Sequence, residues 1–298
     1  MLKLSFQSYK NLDPIINQLI LDQKIHSCKN KSYKLIKKKI EKNILKILSK
    51  KKSHIKLGKI CELNIPFFSM GNINSTHLFG LDEIIIFCFY FINKNKYKIV
   101  YDLGANIGVH SIILNKLGYI VKSYEPDPVH FRRLKFNLKK NKITKKINLL
   151  NRAVSTKQGE IKFVKILNNT TGNHILGSKK FYYGKIKKIN VKTEEFRKIL
   201  HKADLLKMDI EGHEKEVILT TVKNDWKKTD AIVEIGSKEN AIGIFKHLKK
   251  IGINVFSQMK GWKLVKNIND MPKSHLEGSI FITKRKKMNW KKSFFDNL

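Results

Sequence analysis

The sequence KIVYDLGANIG (residues 98–108), followed by YEPD (residues 124–127), decides the fold of this chain. In the first stretch an apolar run ends at Asp102, and a glycine-rich turn and a new apolar-periodic stretch follow, which predicts strand, tight turn and helix. Glu125 ends the next apolar strand, where a carboxylate can accept hydrogen bonds from both hydroxyls of a ribose. The pair of stretches predicts a nucleoside-cofactor site. The turn residues that carry this prediction are Gly104, Asn106 and Gly108.

The glycine spacing favours S-adenosylmethionine over a dinucleotide as the cofactor. A dinucleotide site uses G-x-G-x-x-G, but Asn106 and Val109 stand where the second and third glycines would fall. Asp102 adds a negative charge at the turn, which would repel a pyrophosphate and suits a sulfonium cofactor with a free amino group. The alternative is a purely structural turn with an exposed Glu125.

The formal net charge of +37 raises the question of a nucleic-acid partner. Only five of the 61 basic residues are Arg, and the lysines are spread along the whole chain. Proteins that read nucleic acids favour Arg, whose planar group grips phosphate and guanine at two points. We therefore interpret the charge mainly as solvated lysine-rich faces, and a nucleic-acid partner stays open as a less favoured alternative.

Cysteine content and apolar runs indicate the compartment. Cys28, Cys61 and Cys88 lie far apart, which predicts free thiols and neither a disulfide framework nor a zinc site. The longest apolar run, residues 84–92, is too short to span a bilayer and predicts a buried helix. The N-terminus lacks the apolar core of a signal peptide. These features predict a cytoplasmic protein.

Residues 1–75 are predicted to form a basic, helical N-terminal extension. Within it, residues 31–52 (KSYKLIKKKIEKNILKILSKKK) place apolar residues at helical spacing between lysines. This amphipathic helix either packs on the main domain or a partner subunit, or contacts an anionic membrane surface or substrate carrier. Residues 60–80 are predicted to be irregular. The main domain is expected at residues 76–287, followed by a C-terminal tail at residues 288–298.

From residue 98 onward strand and helix patterns alternate, which predicts an α/β fold with a doubly wound parallel sheet. The last two strand patterns lack a helix between them and predict an antiparallel hairpin at the sheet edge. Residues 159–191 interrupt the alternation, and we expect this insertion to overhang the cofactor site. The strand patterns are at 98–102, 120–125, 147–151, 204–208, 230–235, 253–258 and 279–284. The helix patterns are at 108–117, 128–141, 193–201 (beginning at Thr193), 213–222 and 239–251.

Five motifs follow one another along this part of the chain: DLGANIGVHS (102–111), YEPDP (124–128), NRAVS (151–155), KMDIEGHE (207–214) and VEI (233–235). In order and spacing they resemble the FkbM-type S-adenosylmethionine-dependent methyltransferases. The resemblance implies a class I methyltransferase (Rossmann-like) fold with a seven-stranded sheet whose last strand is antiparallel. It also implies methyl transfer, mostly to oxygen, on a small molecule, sugar or glycolipid-like acceptor.

On such a fold, the residues around the glycine turn would bind the cofactor. Asp102 would face the methionine amino group, and Glu125 would hold the ribose hydroxyls. Gly104 and Gly108 would let the backbone turn tightly beneath the cofactor. Asn106 would contact the cofactor carboxylate or cap the helix. The residues expected near the adenine edge, after the third strand, are Asn151 and Ala153.

The motif KMDIEGHE supplies the candidate catalytic groups. Ligands of open α/β sheets lie outside the carboxyl ends of the strands, so Asp209 and Glu211 should face the methyl group of the cofactor. An alcohol acceptor must lose a proton, and Asp209 is the first candidate for the general base, with His213 or Glu211 as the second. Glu211 could instead only stabilise a helix dipole. No metal is predicted, because the sequence supplies no clear third ligand.

Two other functions compete with an O-methyltransferase acting on a small molecule or glycan. A nucleic-acid methyltransferase is motivated by the charge, but KMDIEGHE replaces the [DN]-PP-[YFW] tetrapeptide of the amino-methylating type. A non-catalytic binding module anchored through residues 31–52 is the other alternative. The intact Asp102, Glu125 and Asp209 argue against such a loss of function.

Overall fold

The computed structural model describes residues 12–167, 169–179, 184–288 and 290. The beginning of the predicted N-terminal extension and most of the predicted C-terminal tail lie outside these residues. The helices are α1 Asp13–Leu21, α2 Lys31–Ile47, α3 Leu81–Ile92, α4 Val109–Lys116, α5 Pro128–Lys140, α6 Phe196–Leu200, α7 Glu214–Ile218 and α8 Lys238–Lys250. The strands are β1 His54–Leu57, β2 Cys61–Asn64, β3 Ile99–Leu103, β4 Ile120–Tyr124, β5 Ile147–Leu150, β6 Ala153–Ser155, β7 Gly159–Ile166, β8 His174–Ile175, β9 Ile186–Glu195, β10 Leu205–Met208, β11 Asp230–Glu234, β12 Asn254–Ser257, β13 Lys263–Leu264 and β14 Ser279–Thr283.

The main sheet of the described residues has eight strands in the order β13-β12-β14-β11-β10-β3-β4-β5. Strands β3, β4, β5, β10 and β11 pair in parallel, and helices cover both faces of the sheet, as the alternation of patterns predicts. This arrangement is the expected doubly wound α/β fold of the class I methyltransferase type. The carboxyl ends of its parallel strands open at one edge, where the candidate site lies.

The antiparallel pairing predicted for the last two strand patterns is confirmed, because β12 and β14 pair antiparallel at this end of the sheet. β14 lies between β11 and β12 and is antiparallel to both. All five of its residues are buried, which suits an interior strand covered on both faces. The edge is formed by β13, an eighth strand in place of the predicted seven, and both of its residues are exposed.

Apolar side chains fill the space on both faces of the main sheet. On one face, residues of α1, α2, α3 and α4 form one large buried cluster with the sheet. On the other face, residues of α6, α7 and α8 form a second buried cluster. The run at 84–92, predicted as a buried helix, lies within α3 at the centre of the first cluster. None of the described helices has the length and apolar content needed to cross a membrane.

The N-terminal extension packs on the main domain. The apolar face of α2, with Tyr33, Ile36 and Ile40, is buried in the same cluster as α3. Leu35 and Leu45 point the other way and are 70% and 64% exposed. The extension is not helical throughout, because β1 and β2 form an antiparallel hairpin within it, partly in the stretch predicted to be irregular. Strands of four residues are too short to show a two-residue period clearly in the sequence.

The insertion forms a second sheet of four strands in the order β6-β9-β7-β8. Its two long strands, β7 and β9, pair antiparallel. The helix predicted to begin at Thr193 is wrong over its first three residues, since β9 continues to Glu195 and α6 begins only at Phe196. The Thr193 hydroxyl donates to the Lys157 carbonyl, and its backbone pairs with both β6 and β7, so tertiary pairing overrides the local capping signal.

Candidate active site

The glycine turn after β3 passes very close to the end of β10. Gly104 has φ +80°, and a Cβ at this position would lie 1.7 Å from the carbonyl oxygen of Asp209. The amides of Gly104 and Ala105 both donate to the Tyr124 carbonyl, at 3.0 and 2.9 Å, which fixes the turn against β4. Gly108, at φ +90°, begins α4 and packs against Leu134 instead of facing the cleft. Only glycine at position 104 permits this close approach.

Glu125 sits at the end of β4 with both carboxylate oxygens held by backbone amides. Oε2 accepts from the amide of Asn106 at 2.8 Å, and Oε1 accepts from the amide of Asp127 at 2.7 Å. Each oxygen keeps a second lone pair for a ligand hydroxyl. Burial, countered in part by these two amides, raises the pKa of Glu125 to about 8. The fold therefore places a carboxylate in a position where ionisation is costly without a ligand.

Asp102 is fully buried at the end of β3. Its Oδ2 accepts a 2.6 Å hydrogen bond from Ser111, which is in turn bonded to Ser123 at 2.8 Å. Its Oδ1 has no hydrogen-bond partner within the part of the chain that the structure describes. The side-chain oxygen of Asn106, at φ +51° in the turn, is unpartnered among the same residues. Two buried acceptors next to one turn are suited to a ligand that brings its own donors.

An open cleft of about 570 Å³ runs along the carboxyl ends of β3, β4 and β10. The insertion forms its opposite wall, with apolar side chains from β7 and β8. Residues that line the cleft include Gly104, Asn106, Tyr124, Glu125, His130, Arg152, Ala153, Phe163, Thr171, Asn173, Ile175, Asp209 and Glu211.

The loop Asp209–His213 is held in an uncommon conformation at one end of this cleft. Glu211 has φ +57°, a left-handed conformation that a non-glycine residue adopts at a cost. Its carboxylate forms an ion pair with Lys179 of the insertion. Burial and the neighbouring Asp209 raise the pKa of Glu211 to about 7, although Lys179 opposes this. Glu214, also buried, accepts a 2.8 Å hydrogen bond from the amide of Ile210 and so closes the loop.

Asp209 and His213 differ in their access to the cleft. Asp209 lines the cleft, and its Oδ2 lies 3.6 Å from the ammonium of Lys207. His213 is buried behind the loop, where its ring nitrogens lie 3.2 Å from the Ser155 hydroxyl and 3.0 Å from the Ser178 hydroxyl. Burial lowers the pKa of His213, which keeps the ring neutral. This geometry favours Asp209 over His213 as the group that meets a ligand.

Two sets of polar contacts tie the insertion across the cleft. On one side, buried Asp127 accepts from Asn173 at 2.7 Å and forms a 2.9 Å ion pair with Lys165. On the other side, Lys179 pairs with Glu211, and the Ser178 hydroxyl lies within hydrogen-bond distance of His213. The sequence indicated the insertion but gave no signal for Lys165, Asn173 and Lys179, because their partners are distant in the chain.

The structure brings together part of the predicted set of residues. Four predicted cofactor residues line the cleft: Gly104, Asn106, Glu125 and Ala153. Two predicted catalytic residues do so as well: Asp209 and Glu211. The others lie just outside it: Asp102, Gly108, Asn151 and His213. Asn151 binds the backbone at the end of β4: its side-chain amide donates hydrogen bonds to the carbonyls of Glu125 and Pro126 at 2.7 and 3.0 Å. No group of three or more His, Cys, Asp or Glu side chains that could hold a metal ion occurs in the described ranges.

Fold and cleft together define a doubly wound α/β protein with an open cleft at its strand ends. The family model of the methyltransferase FkbM domain matches residues 102–259, more than half of the chain. The chain belongs to the FkbM methyltransferase family. A comparison with curated protein sequences gives no significant match.

Several solved methyltransferase structures are similar to this chain at low identity. A precorrin-6y C5,15-methyltransferase from Geobacter metallireducens has 14% identity and a TM-score of 0.35, covering 64% of this chain and 82% of its own. A ribosomal protein L11 methylase from Lactobacillus delbrueckii subsp. bulgaricus has 14% identity and a TM-score of 0.34, covering 65% and 73%. A SAM-dependent methyltransferase from Agrobacterium tumefaciens has 8% identity and a TM-score of 0.36, covering 68% and 62%.

Proposed function

We propose that this protein is an S-adenosylmethionine-dependent O-methyltransferase that acts on a hydroxyl of a small molecule, sugar or glycolipid-like acceptor. The observation that carries the proposal is the meeting of Glu125, the Gly104 turn and Asp209 along one cleft. A carboxylate suited to ribose hydroxyls and a candidate base therefore line the same cleft, at the strand ends where ligands of such sheets bind.

The residues present fit the methyl donor. Glu125 retains free lone pairs for the two ribose hydroxyls, because the amides of Asn106 and Asp127 use only one on each oxygen. The unpartnered Oδ1 of Asp102 is suited to the cationic amino group of a methionine moiety. Phe163 and Ile175 offer an apolar surface for a purine ring. When bound, S-adenosylmethionine supplies an electrophilic methyl group on a cationic sulfur.

Asp209 is the proposed general base for the acceptor. The Asp209 carboxylate would accept the hydroxyl proton of an acceptor held at the cleft, while the bound cofactor would supply the methyl group that replaces it. The loop conformation set by Glu211 and Glu214 holds Asp209 at the cleft, and this orientation supplies much of the rate enhancement in a displacement of this kind. The insertion forms the wall of the cleft opposite the strand ends.

Acidic groups at this end favour an uncharged or weakly charged acceptor over a nucleic-acid backbone. Asp209 and Glu211 line the cleft, and electrostatic interactions connect both with Glu234 at the end of β11. A phosphate chain would be repelled by these carboxylates. The lysines that give the chain its net charge would then attract RNA only without specificity.

Methyl transfer from labelled S-adenosylmethionine to a panel of sugars, glycolipids and RNA tests the proposal. We expect labelling of a hydroxyl-bearing small molecule or glycan, and Asp209→Asn should lower the rate by about two orders of magnitude or more, the usual contribution of a general base. The variant should keep its cofactor affinity within about tenfold. Sequence-dependent labelling of RNA, with glycans unlabelled, would refute the proposed acceptor class.

A further inference from the structure

Lys207 is a charged residue in a strand that is otherwise apolar. All four residues of β10 are buried, and Lys207 is 7% exposed. In the sheet it is in register with Asp102 of β3, so both side chains lie on the same face. Its ammonium lies 3.6 Å from Oδ2 of Asp209. A lysine that departs from the apolar pattern of a central strand, next to a candidate base, calls for a functional explanation.

Four carboxylates interact electrostatically with this lysine. Burial lowers the pKa of Lys207, but Asp209, Asp102, Glu83 and Glu234 outweigh it and raise the pKa above its usual value, so the ammonium stays charged. Asp102 lies on β3, Glu83 on α3 and Glu234 on β11.

Two further side chains lie beside the carboxylates of this region. Nε2 of His110 on α4 lies 2.8 Å from Oε2 of Glu83, and Lys179 of the insertion forms an ion pair with Glu211. Burial and the neighbouring carboxylates raise the pKa of Glu234 well above its usual value, the response expected where several carboxylates share a poorly solvated region.

Unbalanced carboxylates would be a disadvantage for methyl transfer. The methyl donor has a positive charge on sulfur that disappears as the methyl group leaves, so a negative site stabilises the reactant more than the transition state. A fixed positive charge beside Asp209 offsets this preference without removing the carboxylate.

We propose that Lys207 is a specificity-determining residue of the cofactor site, which offsets the charge of Asp209 and so limits the preference for the cationic donor over its neutral product. This inference rests on the proposed function. It assigns to Lys207 a role that is neither contact with the acceptor nor removal of its proton. The measurable consequence is the ratio of two affinities, for which no acceptor is needed.

Calorimetric titration with S-adenosylmethionine and S-adenosylhomocysteine tests this role. Lys207→Met should raise the preference for the cationic donor over the neutral product on the order of tenfold, because one nearby positive charge is lost in a poorly solvated site. Lys207→Arg keeps the charge and should keep the ratio. Asp209→Asn should lower the ratio, and the double variant Lys207→Met with Asp209→Asn should return close to the unmodified protein.

A matched control removes a lysine of the same charge outside the cleft. Lys215 on α7 pairs with Glu216 and Glu239, and Lys215→Met should leave the ratio unchanged. An unchanged ratio in folded Lys207→Met would overturn the inference, as would an Arg variant that behaves like the Met variant. If Lys207→Met does not fold, the Asp209 variant and the double variant decide the question. An unmodified protein that binds neither compound would refute the proposed function itself, a result distinguishable from all of these.

Discussion

At the scale of single residues, the site contains two features that are unfavourable for folding. Glu125 is a carboxylate in a buried position, and Gly104 holds a left-handed conformation against the end of β10. Asn106 and Glu211 add further left-handed backbone without being glycine. Such unfavourable conformations and burials cluster at functional sites, where a ligand or reaction compensates for them. Two substitutions measure these costs directly.

Gly104→Ala should disrupt the cleft, because the new Cβ would lie 1.7 Å from the Asp209 carbonyl oxygen. We expect a loss of about 2–4 kcal/mol in the free energy of unfolding and a loss of cofactor binding. The control is Gly118→Ala, which has a similar φ of +95° but no neighbouring atom within 4 Å. It should cost only about 1 kcal/mol. Denaturant unfolding checks both values, and equal losses in the two variants would contradict the close-approach argument.

Glu125→Gln should change how stability depends on pH. The pKa of Glu125 is raised from its ordinary value of 4.5 to about 8, so its favourable contribution is complete below pH 4.5 and is lost as the pH rises to about 8. The Gln variant lacks this titration. Relative to the variant, the unmodified protein should therefore lose about 2–4 kcal/mol between these pH values.

The difference between the two unfolding free energies, followed from pH 4 to pH 9, isolates this effect. Any constant cost of placing an amide beside two backbone N–H groups cancels in the pH dependence. A difference that stays flat over the whole pH range would show that Glu125 ionises in the fold as it does in water.

At the scale of elements, the insertion and the N-terminal layer determine what surrounds the strand ends. The second sheet, β6-β9-β7-β8, covers the cleft and is connected to the main domain by Asp127 on one side and by the Asp209–His213 loop on the other. The helix α2 packs on the main domain through its own apolar face. Each element gives a separate prediction.

Removing the Asp127 tether should loosen the insertion. We expect Lys165→Met combined with Asn173→Ala to weaken cofactor binding by about tenfold or more, since each lost contact to a buried charge contributes about 1.5–3 kcal/mol. Hydrogen exchange of the β7 and β8 amides should become faster at the same time. The control is Lys187→Met, an exposed lysine on β9. Unchanged exchange in the tether variant would contradict a role for Asp127 in holding the insertion.

The basic helix α2 should not act as a membrane anchor of its own. Its apolar face is buried, and the exposed Leu35 and Leu45 lie ten residues apart, about 15 Å along the helix axis. Charge reversal of Lys34, Lys38 and Lys39 to Glu should reduce flotation with anionic vesicles no more than the same change at Lys246, Lys249 and Lys250 of α8. High salt should abolish binding in all cases. A selective effect of the α2 variant would favour a dedicated membrane contact.

At the scale of the whole molecule, the sequence predicts the strands of the main sheet better than it predicts the surroundings of the site. The periodic segments of the sheet and the strand–turn–helix around Gly104 follow from local pattern, so their positions agree within a few residues. The interior position of β14, the hairpin β1–β2 and the strand character of Thr193 depend on distant partners, which local pattern does not contain. The same reason explains why Lys165 and Lys179 gave no signal in the sequence.

Net charge is the least informative property of the whole chain for its chemistry. The formal charge is +37, yet the end of the cleft at Asp209 is lined by carboxylates. The carboxylates at this end of the cleft and the lysines of the surface are separate features, so the basic composition alone does not identify the substrate.

Calorimetric titration of S-adenosylmethionine into the intact protein and its Glu125→Ala variant tests the central claim most directly. We predict saturable binding to the unmodified protein and a loss of at least about tenfold in the variant, because the ribose would lose charge-assisted hydrogen bonds. The control is Glu160→Ala, an exposed carboxylate on β7, which should bind like the unmodified protein. Folded protein that does not bind the cofactor, or binding that Glu125→Ala leaves intact, would contradict a methyl-donor site at this cleft.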